Sequence, residues 1–375
     1  MVYKSLVKKV SIPTEKKTKQ KEYLKSGQLP IVDQGKELVG GYTENVTKAL
    51  SCTLPVIIFG DHTKAVKYIN FPFGAGADGI KVLEPKEGIL PKYLYYGTHY
   101  LTFKIVDKGY ARHYQHIEKK DLPVPPLEDQ HRIVTRIEEL FSQLDSGVET
   151  LKKTKEQLKV YQQAVLKEAF EAVKKDSILC NVEDVCNDIK VGIVIKPSQY
   201  YTSEDNGIGA FRSANVREFS VNDSEWVYLT NDGHQANQRS EIHTGDVLVV
   251  RSGYPGTACV VPPKYNGYNA IDILIAVPNM TKIVPDYLCA YTNSPLGRKI
   301  VQEKKRGVAQ AHFNVSGYSK TPIIVPSIDI QKKVVEIIES RLSVCDSIEK
   351  TIDTALQEAE ALRQSILKQA FEGGL

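Results

Sequence analysis

Val124-Pro125-Pro126-Leu127-Glu128-Asp129-Gln130 and Val325-Pro326-Ser327-Ile328-Asp329-Ile330-Gln331 are one phrase written twice, 201 residues apart. The offset persists along the chain. Leu166-Lys167-Glu168-Ala169-Phe170-Glu171 returns as Leu367-Lys368-Gln369-Ala370-Phe371-Glu372, Ile137-Glu138 as Ile338-Glu339, and Asp145 as Asp346. A register kept without a gap over about 47 residues marks an internal duplication. Each copy reads as one long helix. Gly147 is the single breaker inside the first, and Pro123–Pro126 and Pro322–Pro326 break the chain before each. Ser327 suits an N-cap and Gly373 a stop.

Apolar or small residues recur at 3,4 spacing. The first copy has Ile133, Ile137, Leu140, Leu144, Gly147, Leu151, Thr154, Leu158, Tyr161 and Val165. The second has Val334, Ile338, Arg341, Cys345, Ile348, Ile352, Ala355, Ala359, Leu362 and Ile366, with Arg341 the charged exception. This is a heptad seam, and a helix of roughly 67 Å must bury it. The simplest partner is the other copy. Pairing within one chain requires the helices to run antiparallel, with a globular segment at each end.

The two globular segments, 1–123 and 173–322, alternate strand-length apolar runs with Gly, Pro and Asn, so they are expected to be mixed α/β. Expected strands are Leu54–Phe59, Ala65–Asn70, Ile80–Leu83 and His99–Val106 in the first. In the second they are Lys190–Ile195, Ile208–Val216, Trp226–Leu229, Val247–Arg251, Ala258–Val261 and Ala270–Val277. Short helices are expected from Pro91, over Pro285–Asn293 and over Pro295–Lys304. Landmarks recur in order: Leu54–Asp61 with Gly245–Gly253, Pro91–Leu94 with Pro285–Leu288, and Gly109–Tyr114 with Gly307–Phe313. The framework repeats while the loop residues differ, as in two copies of one scaffold reading different ligands. The expected layout is 1–123 and 173–322 as domains, with 124–172 and 323–375 as the repeated helices.

Charge is distributed unevenly. The net charge is +4, yet 127–171 and 328–372 together carry −5 and the remainder +9. A basic excess outside the helices suits a polyanion-binding surface. No apolar run approaches the roughly 20 residues of a membrane span, and the N-terminal lysines interrupt anything like a signal peptide, so a cytoplasmic protein is expected. The six cysteines are scattered, with no zinc-like spacing, and read as reduced structural thiols. Gly74-Ala75-Gly76-Ala77-Asp78-Gly79 satisfies GxGxxG but precedes a strand-like run instead of opening a helix, so it reads as a glycine-rich turn. There is no P-loop, no HExxH and no Asn-Pro-Pro-aromatic tetrapeptide.

"VPPLEDQHRIV" after a G-x-A-R/Q-x-H-aromatic turn, then a long helix ending "LKEAFE", resembles the specificity subunits of type I restriction–modification enzymes. So does the order domain, helix, domain, helix across the whole chain. The resemblance implies an α+β protein with two target-recognition domains separated by two long antiparallel helices in a coiled coil. It also implies recognition of a two-part duplex DNA site without catalysis, and assembly with two methyltransferase subunits and with restriction subunits. S-adenosylmethionine, ATP and Mg would reside on those partners. Two departures stand out: 1–123 is shorter than 173–322, and its turn at Gly109 lacks the Phe313–Ser316 "FNVS" continuation.

DNA-reading candidates are polar, basic and aromatic loop residues. In the first domain they are Asp61, His62, Lys64, Arg112, His113 and Gln115. In the second they are Arg212, Asn215, Arg217, Arg251, Ser252, Tyr254, Lys304, Lys305, Arg306, Gln310, His312 and Asn314. Arg and Asn make bidentate contacts to guanine and adenine edges, while Lys mainly meets phosphate. Leu127, Phe141 and Phe170, with their repeat counterparts Ile328, Leu342 and Phe371, are the candidates for partner docking on the outer helix faces. A rival reading is a coiled-coil scaffold whose end domains bind other ligands.

Overall fold

A computed structural model describes residues 1–76, 79–105, 111–299 and 314–374. The duplicated segments form two uninterrupted helices, Leu127–Val173 and Ile328–Glu372. Gly373, at φ +88°, ends the second in the left-handed conformation that glycine adopts at little cost. The chain divides into two compact units, Met1–Lys152 with Ile352–Leu375, and Lys153–Thr351. No helix among the described residues is long and apolar enough to cross a membrane.

Each unit is built around the same four-stranded antiparallel sheet. In the first unit the strand order is Val7–Val10, Ile80–Pro85, Val56–Gly60, Val66–Ile69. In the second it is Cys186–Val191, Ile273–Pro278, Val247–Val250, Ala258–Val260. The first, fourth, second and third strands in chain order lie side by side in both. A short helix covers each sheet, Pro91–Phe103 and Pro285–Asn293, opened by a proline whose missing N–H goes unneeded at a helix start. A second small sheet adds parallel pairing in each unit: Leu29–Val32 and Lys17–Thr18 both pair with Gly74–Gly76 in the first, and Ile208–Phe211 pairs with Asn269–Ala270 in the second.

The long helices complete both cores. The start of the first helix (Val134, Ile137) and the end of the second (Ile366, Leu367, Ala370, Phe371) pack into the core of the first unit. The end of the first (Leu166, Phe170) and the start of the second (Val334, Ile338) pack into that of the second. Phe371 stacks on Tyr100 and tilts against Tyr93. Phe170 meets Tyr287 and Tyr291 edge-on. Within each unit the two helices run antiparallel.

A buried amide locks each helix start. Gln130 Nε2 donates to the carbonyls of Gly88 and Pro125, and its Oε1 accepts from Leu90 N–H at 2.8 Å. Gln331 makes the same three bonds to Lys282, Pro326 and Val284. Both side chains are fully buried. Tyr93 and Tyr287 donate to the carbonyls of Pro123 and Ile324, tying each short helix to the segment that leads into the long one.

Several expectations are corrected. The expected strand from His99 is not formed, because His99–Phe103 is the end of the helix Pro91–Phe103; Val106 lies outside the described residues. Val7–Val10, Lys17–Thr18, Leu29–Val32 and Gly41–Thr43 are strands that went unread, since Lys8 and Lys9, or Pro30 and Gly41, hide the apolar alternation. The glycine-rich run is a strand over Gly74–Gly76, where a Cβ on Gly74 would strike Ile31 and Leu29, and one on Gly76 would strike Asp33 and Tyr23. Ala270–Val277 breaks at Asp272, which has φ +50°. The expected helix from Pro295 is helical to residue 299, and its remainder lies outside the described residues.

The seam is displaced at alternate members. Gly147, Thr154 and Tyr161 are exposed, and Val148, Lys155 and Gln162 turn inward instead. On the second helix Ile348 and Leu362 are exposed while Glu349 and Arg363 turn inward. The reason is electrostatic. Lys155 Nζ lies 3.2 Å from Glu349, Arg363 pairs with Asp145 and sits 4.8 Å over the Phe141 ring, and Arg341 donates to Glu168 at 2.9 Å. All six cysteines are free thiols.

Gln130→Ala and Gln331→Ala each remove a buried amide that serves one backbone N–H and two carbonyls, at a cost of about 1–3 kcal/mol. Urea unfolding should show a lowered midpoint for both, and none for the exposed control Gln157→Ala. His99 is buried at the edge of the Tyr95 ring, 4.8 Å between centroids, and burial depresses its pKa to about 4. The unfolded chain therefore takes up this proton first. The stability that neutral His99 contributes is complete above about pH 6.5 and is lost as pH falls from 6.5 to 4, by up to about 3 kcal/mol. Urea midpoints at pH 7.5 and 5 should differ less in His99→Gln than in the parent.

Candidate nucleic-acid interface

Asp61 follows directly on the central strand Val56–Gly60 of the first unit. Its carboxylate is buried, accepts from Tyr114 N–H at 2.9 Å and lies 3.1 Å from Lys81 Nζ. Burial alone would raise its pKa, but the Tyr114 N–H and Lys81 outweigh it and hold the carboxyl below its usual range. Its backbone carbonyl accepts from His113 N–H at 2.8 Å. Asp61 thus ties strand end to loop. His62 Nδ1 sits 3.2 Å from the Ala111 carbonyl. Lys64 turns the chain at φ +60°. His113 is buried, with no hydrogen-bond partner at either ring nitrogen among the described residues, whereas Arg112 and Gln115 are exposed.

An open cleft of about 380 Å³ gathers Asp61, His62 and Arg112 together with Lys9, Lys17 and Lys81. These three lysines were missed as site residues. Lys9 and Lys17 sit on strands whose charge masked them, and Lys81 sits on a strand that was read only for its apolar face. Lys64, His113 and Gln115 are not part of the cleft wall.

In the second unit the candidates fall on two turns. Asn215 is fully buried. Its Oδ1 accepts from Arg212 N–H, and its Nδ2 donates to the carbonyls of Asn222 and Ser224. It braces a turn from within and, contrary to expectation, with its amide engaged and no exposed surface it does not stand among the loop residues open to a ligand. Arg212 donates to the Glu225 carbonyl at 2.5 Å. Arg217, on the neighbouring strand, is exposed. On the other turn, Arg251 ends the central strand Val247–Val250 and donates to Asp272 at 2.9 Å. Gly256 N–H closes the turn onto the Val250 carbonyl, Ser252 is half-buried, and the Tyr254 ring is 85% exposed. Asn314 caps the helical turn Val315–Ser319 by accepting from Gly317 N–H. Lys304, Lys305, Arg306, Gln310 and His312 lie outside the described residues.

The partner-docking candidates divide. Phe170 and Phe371 are core residues, because the aromatic helices beneath them bury both rings; their expected place on an outer face is corrected. Leu127 is exposed and Ile328 half-buried. Phe141 and Leu342 line equivalent clefts in the two units. The first, about 580 Å³, includes Glu138, Phe141, Ser142 and Asp145 against Tyr95 and Tyr96. The second, about 220 Å³, includes Glu339, Leu342, Ser343 and Asp346 against Cys289 and Ala290. The four long-helix positions stand 201 residues apart, so the duplication repeats a surface as well as a core.

Residues 7–160 match the family model of the type I restriction modification DNA specificity domain. Over 279 residues the chain is 26% identical to the type I restriction enzyme EcoBI specificity subunit of Escherichia coli, covering 68% of this chain and 58% of that protein. Over 381 residues it is 23% identical to the EcoR124I/EcoR124II specificity subunit of Escherichia coli, covering 96% and 89%. The chain thus spans 58% of the first two curated relatives it matches. In fold it is similar to a chain of a solved type I R-M system (TM-score 0.71, 16% identity, 100% and 97% covered) and to the HsdS subunit from Thermoanaerobacter tengcongensis (0.52, 16%, 100% and 96%). These likenesses bear out the resemblance read from the repeated phrases and the fold class expected from it.

Residues that brace turns and residues that project from them should separate by experiment. Asn215→Ala leaves the carbonyls of Asn222 and Ser224 and the Arg212 N–H without this partner and should cost about 1–3 kcal/mol. Tyr254→Ala and Arg217→Ala should stay within about 0.5 kcal/mol of the parent, as surface changes do. Thermal melts of the three variants check the split, and a marked loss in Tyr254→Ala would make that ring structural.

Proposed function

From the type I restriction–modification DNA specificity domain that residues 7–160 match, we propose that the protein is the specificity subunit of such a system. It reads a two-part duplex DNA site and performs no chemistry of its own. The observation that carries the reading is a doubled scaffold with diverging loop chemistry. The same strand end carries Asp61 beside Lys81 in one unit and Arg251 beside Asp272 in the other. The two pairs sit one position apart, Arg251 at the place of Gly60 and Ser252 at that of Asp61, so one framework carries different side chains at its strand end, which suits two half-sites of different sequence.

In this reading 1–123 and 173–322 are the recognition domains. His62, Lys64, Arg112 and Gln115 face DNA from the first; Arg217, Arg251, Ser252 and Tyr254 do so from the second, together with the basic segment at Lys304–Arg306. The two repeated clefts beside Phe141 and Leu342 each receive one methyltransferase subunit, which supports two copies of that partner; restriction subunits join through them. S-adenosylmethionine, ATP and Mg belong to the partners, and the assembly works in the cytoplasm. The relatives named above are all specificity subunits, which leaves the scaffold reading without support.

Selection of bound duplexes from a random pool tests the reading. The parent should enrich two short fixed sequences around a spacer of constant length. Replacing 173–322 with the corresponding domain of another specificity subunit should change one of them and keep the other. If both change together, or no sequence is enriched, the modular DNA-reading function fails.

A further inference from the structure

Resting on that DNA-binding reading, we propose that the 380 Å³ cleft of the first unit anchors a phosphodiester of the DNA backbone and does not read a base. Its ionisable wall comprises Lys9, Lys17, Lys81, Arg112, His62 and Asp61. The four permanent cations come from four separate pieces of chain. Lys9 lies on the edge strand opposite Leu83, and its ammonium sits 5.7 Å over the Tyr114 ring. Lys17 belongs to the small sheet, beside Ala75. Lys81 stands on the inner strand opposite Phe59. Arg112 leads into the helical turn Tyr114–Ile117. Asp61 neutralises Lys81, and cations still outnumber carboxylates among the described residues of this open wall, so its net charge is positive. An anion entering the cleft balances that charge.

Among the described residues of the wall the one carboxylate is that of Asp61, and its surroundings favour phosphate over base. Reading cytosine or adenine through an exocyclic amino group needs an acceptor with room for it. Asp61 is engaged by the Tyr114 N–H and by Lys81, and only 3% of the residue is exposed. Three of the four cations are lysines, point charges suited to phosphate oxygens, whereas bidentate guanine recognition falls to arginine. The repeat-related place in the second unit is built otherwise: Arg251 is balanced by Asp272 at 2.9 Å, and the exposed aromatic Tyr254 projects beyond it. The two units therefore grip DNA by different chemistry at equivalent strand ends.

The test uses the full-length chain and the duplex it selects. The variants are Lys17→Gln and Arg112→Gln, with Lys17→Arg as the charge-preserving control and circular dichroism to check folding. Affinity is measured from 50 to 200 mM salt on the selected duplex and on an unrelated one. Each neutral variant should flatten the slope of log affinity against log salt by about one and weaken both duplexes by the same factor. The selected half-sites should stay unchanged, and Lys17→Arg should keep the parental slope. A parental slope in both folded neutral variants overturns the anchor, and so does a changed base preference in one half-site. Should the parent bind no duplex at any salt concentration, the DNA-reading function falls and the anchor with it.

Discussion

Phe371 packs between Tyr93 and Tyr100, and Phe170 between Tyr287 and Tyr291. Everything else in the architecture depends on these two contacts. Neither short helix finds enough apolar cover in its own segment; each is finished by the end of the long helix that belongs to the other repeat. Burial of a phenylalanine contributes about 2–3 kcal/mol, and aromatic pairing adds to it. The arrangement makes the long helices obligatory parts of two cores. Gln130 and Gln331 then fix where each helix begins, because an amide with three partners tolerates no slip by a residue. A helix anchored by a buried amide at its start and a buried ring at its end has its length and phase determined by the sequence between them.

That coupling also governs what was legible in advance. The 201-residue offset, the two long helices and the recurrence of Pro91 and Pro285 could be read from the chain because they are periodic or punctuated. Gln130 and Gln331 stood in the repeated phrase itself, yet only the folded loop at Gly88 or Lys282 reveals their partners. The seam failed at alternate members for a related reason. Hydrophobicity favours Ile348 and Leu362 over Glu349 and Arg363, and it does not register that Lys155 and Asp145 wait across the interface. The cationic cleft was hidden further still, since positions 9, 17, 81 and 112 share no motif. They are neighbours because two sheets bring the strands of Lys9, Lys17 and Lys81 together and the segment before Tyr114–Ile117 adds Arg112.

Framework and loop chemistry have diverged at different rates between the repeats. The hydrogen bonds of Gln130 recur in Gln331 without exception, and the Tyr3–Thr98 contact recurs as Tyr318–Thr292. These groups are buried, so losing one partner leaves the other stranded, and the cost keeps both in place. At the strand ends no such penalty applies. Asp61 with Lys81 and Arg251 with Asp272 each satisfy their own charge, so either pair serves the fold equally well. Freedom of this kind is what a recognition surface requires: the side chains that meet the ligand change while the sheet behind them does not.

Duplication carries a hazard that the displaced seam addresses. Two helices of common origin are each complementary to a copy of themselves, and pairing between like helices of different chains would compete with pairing inside one chain. By the 201-residue offset, Glu349 corresponds to Val148, and Lys155 to Leu356. In the second unit Lys155 therefore faces a carboxylate, where a first helix paired with its own copy would set it against a valine. Arg363 corresponds in the same way to Gln162, so a copy of the first helix offers Asp145 an amide in place of a guanidinium. Each such pair is worth at most about 1 kcal/mol at a half-exposed seam. Three of them, at Asp145, Lys155 and Glu168, nevertheless act in the same direction, and polar seam positions are known to select partner and register at some cost in stability. The charges that spoil the apolar stripe are thus the part of it that distinguishes the first helix from the second.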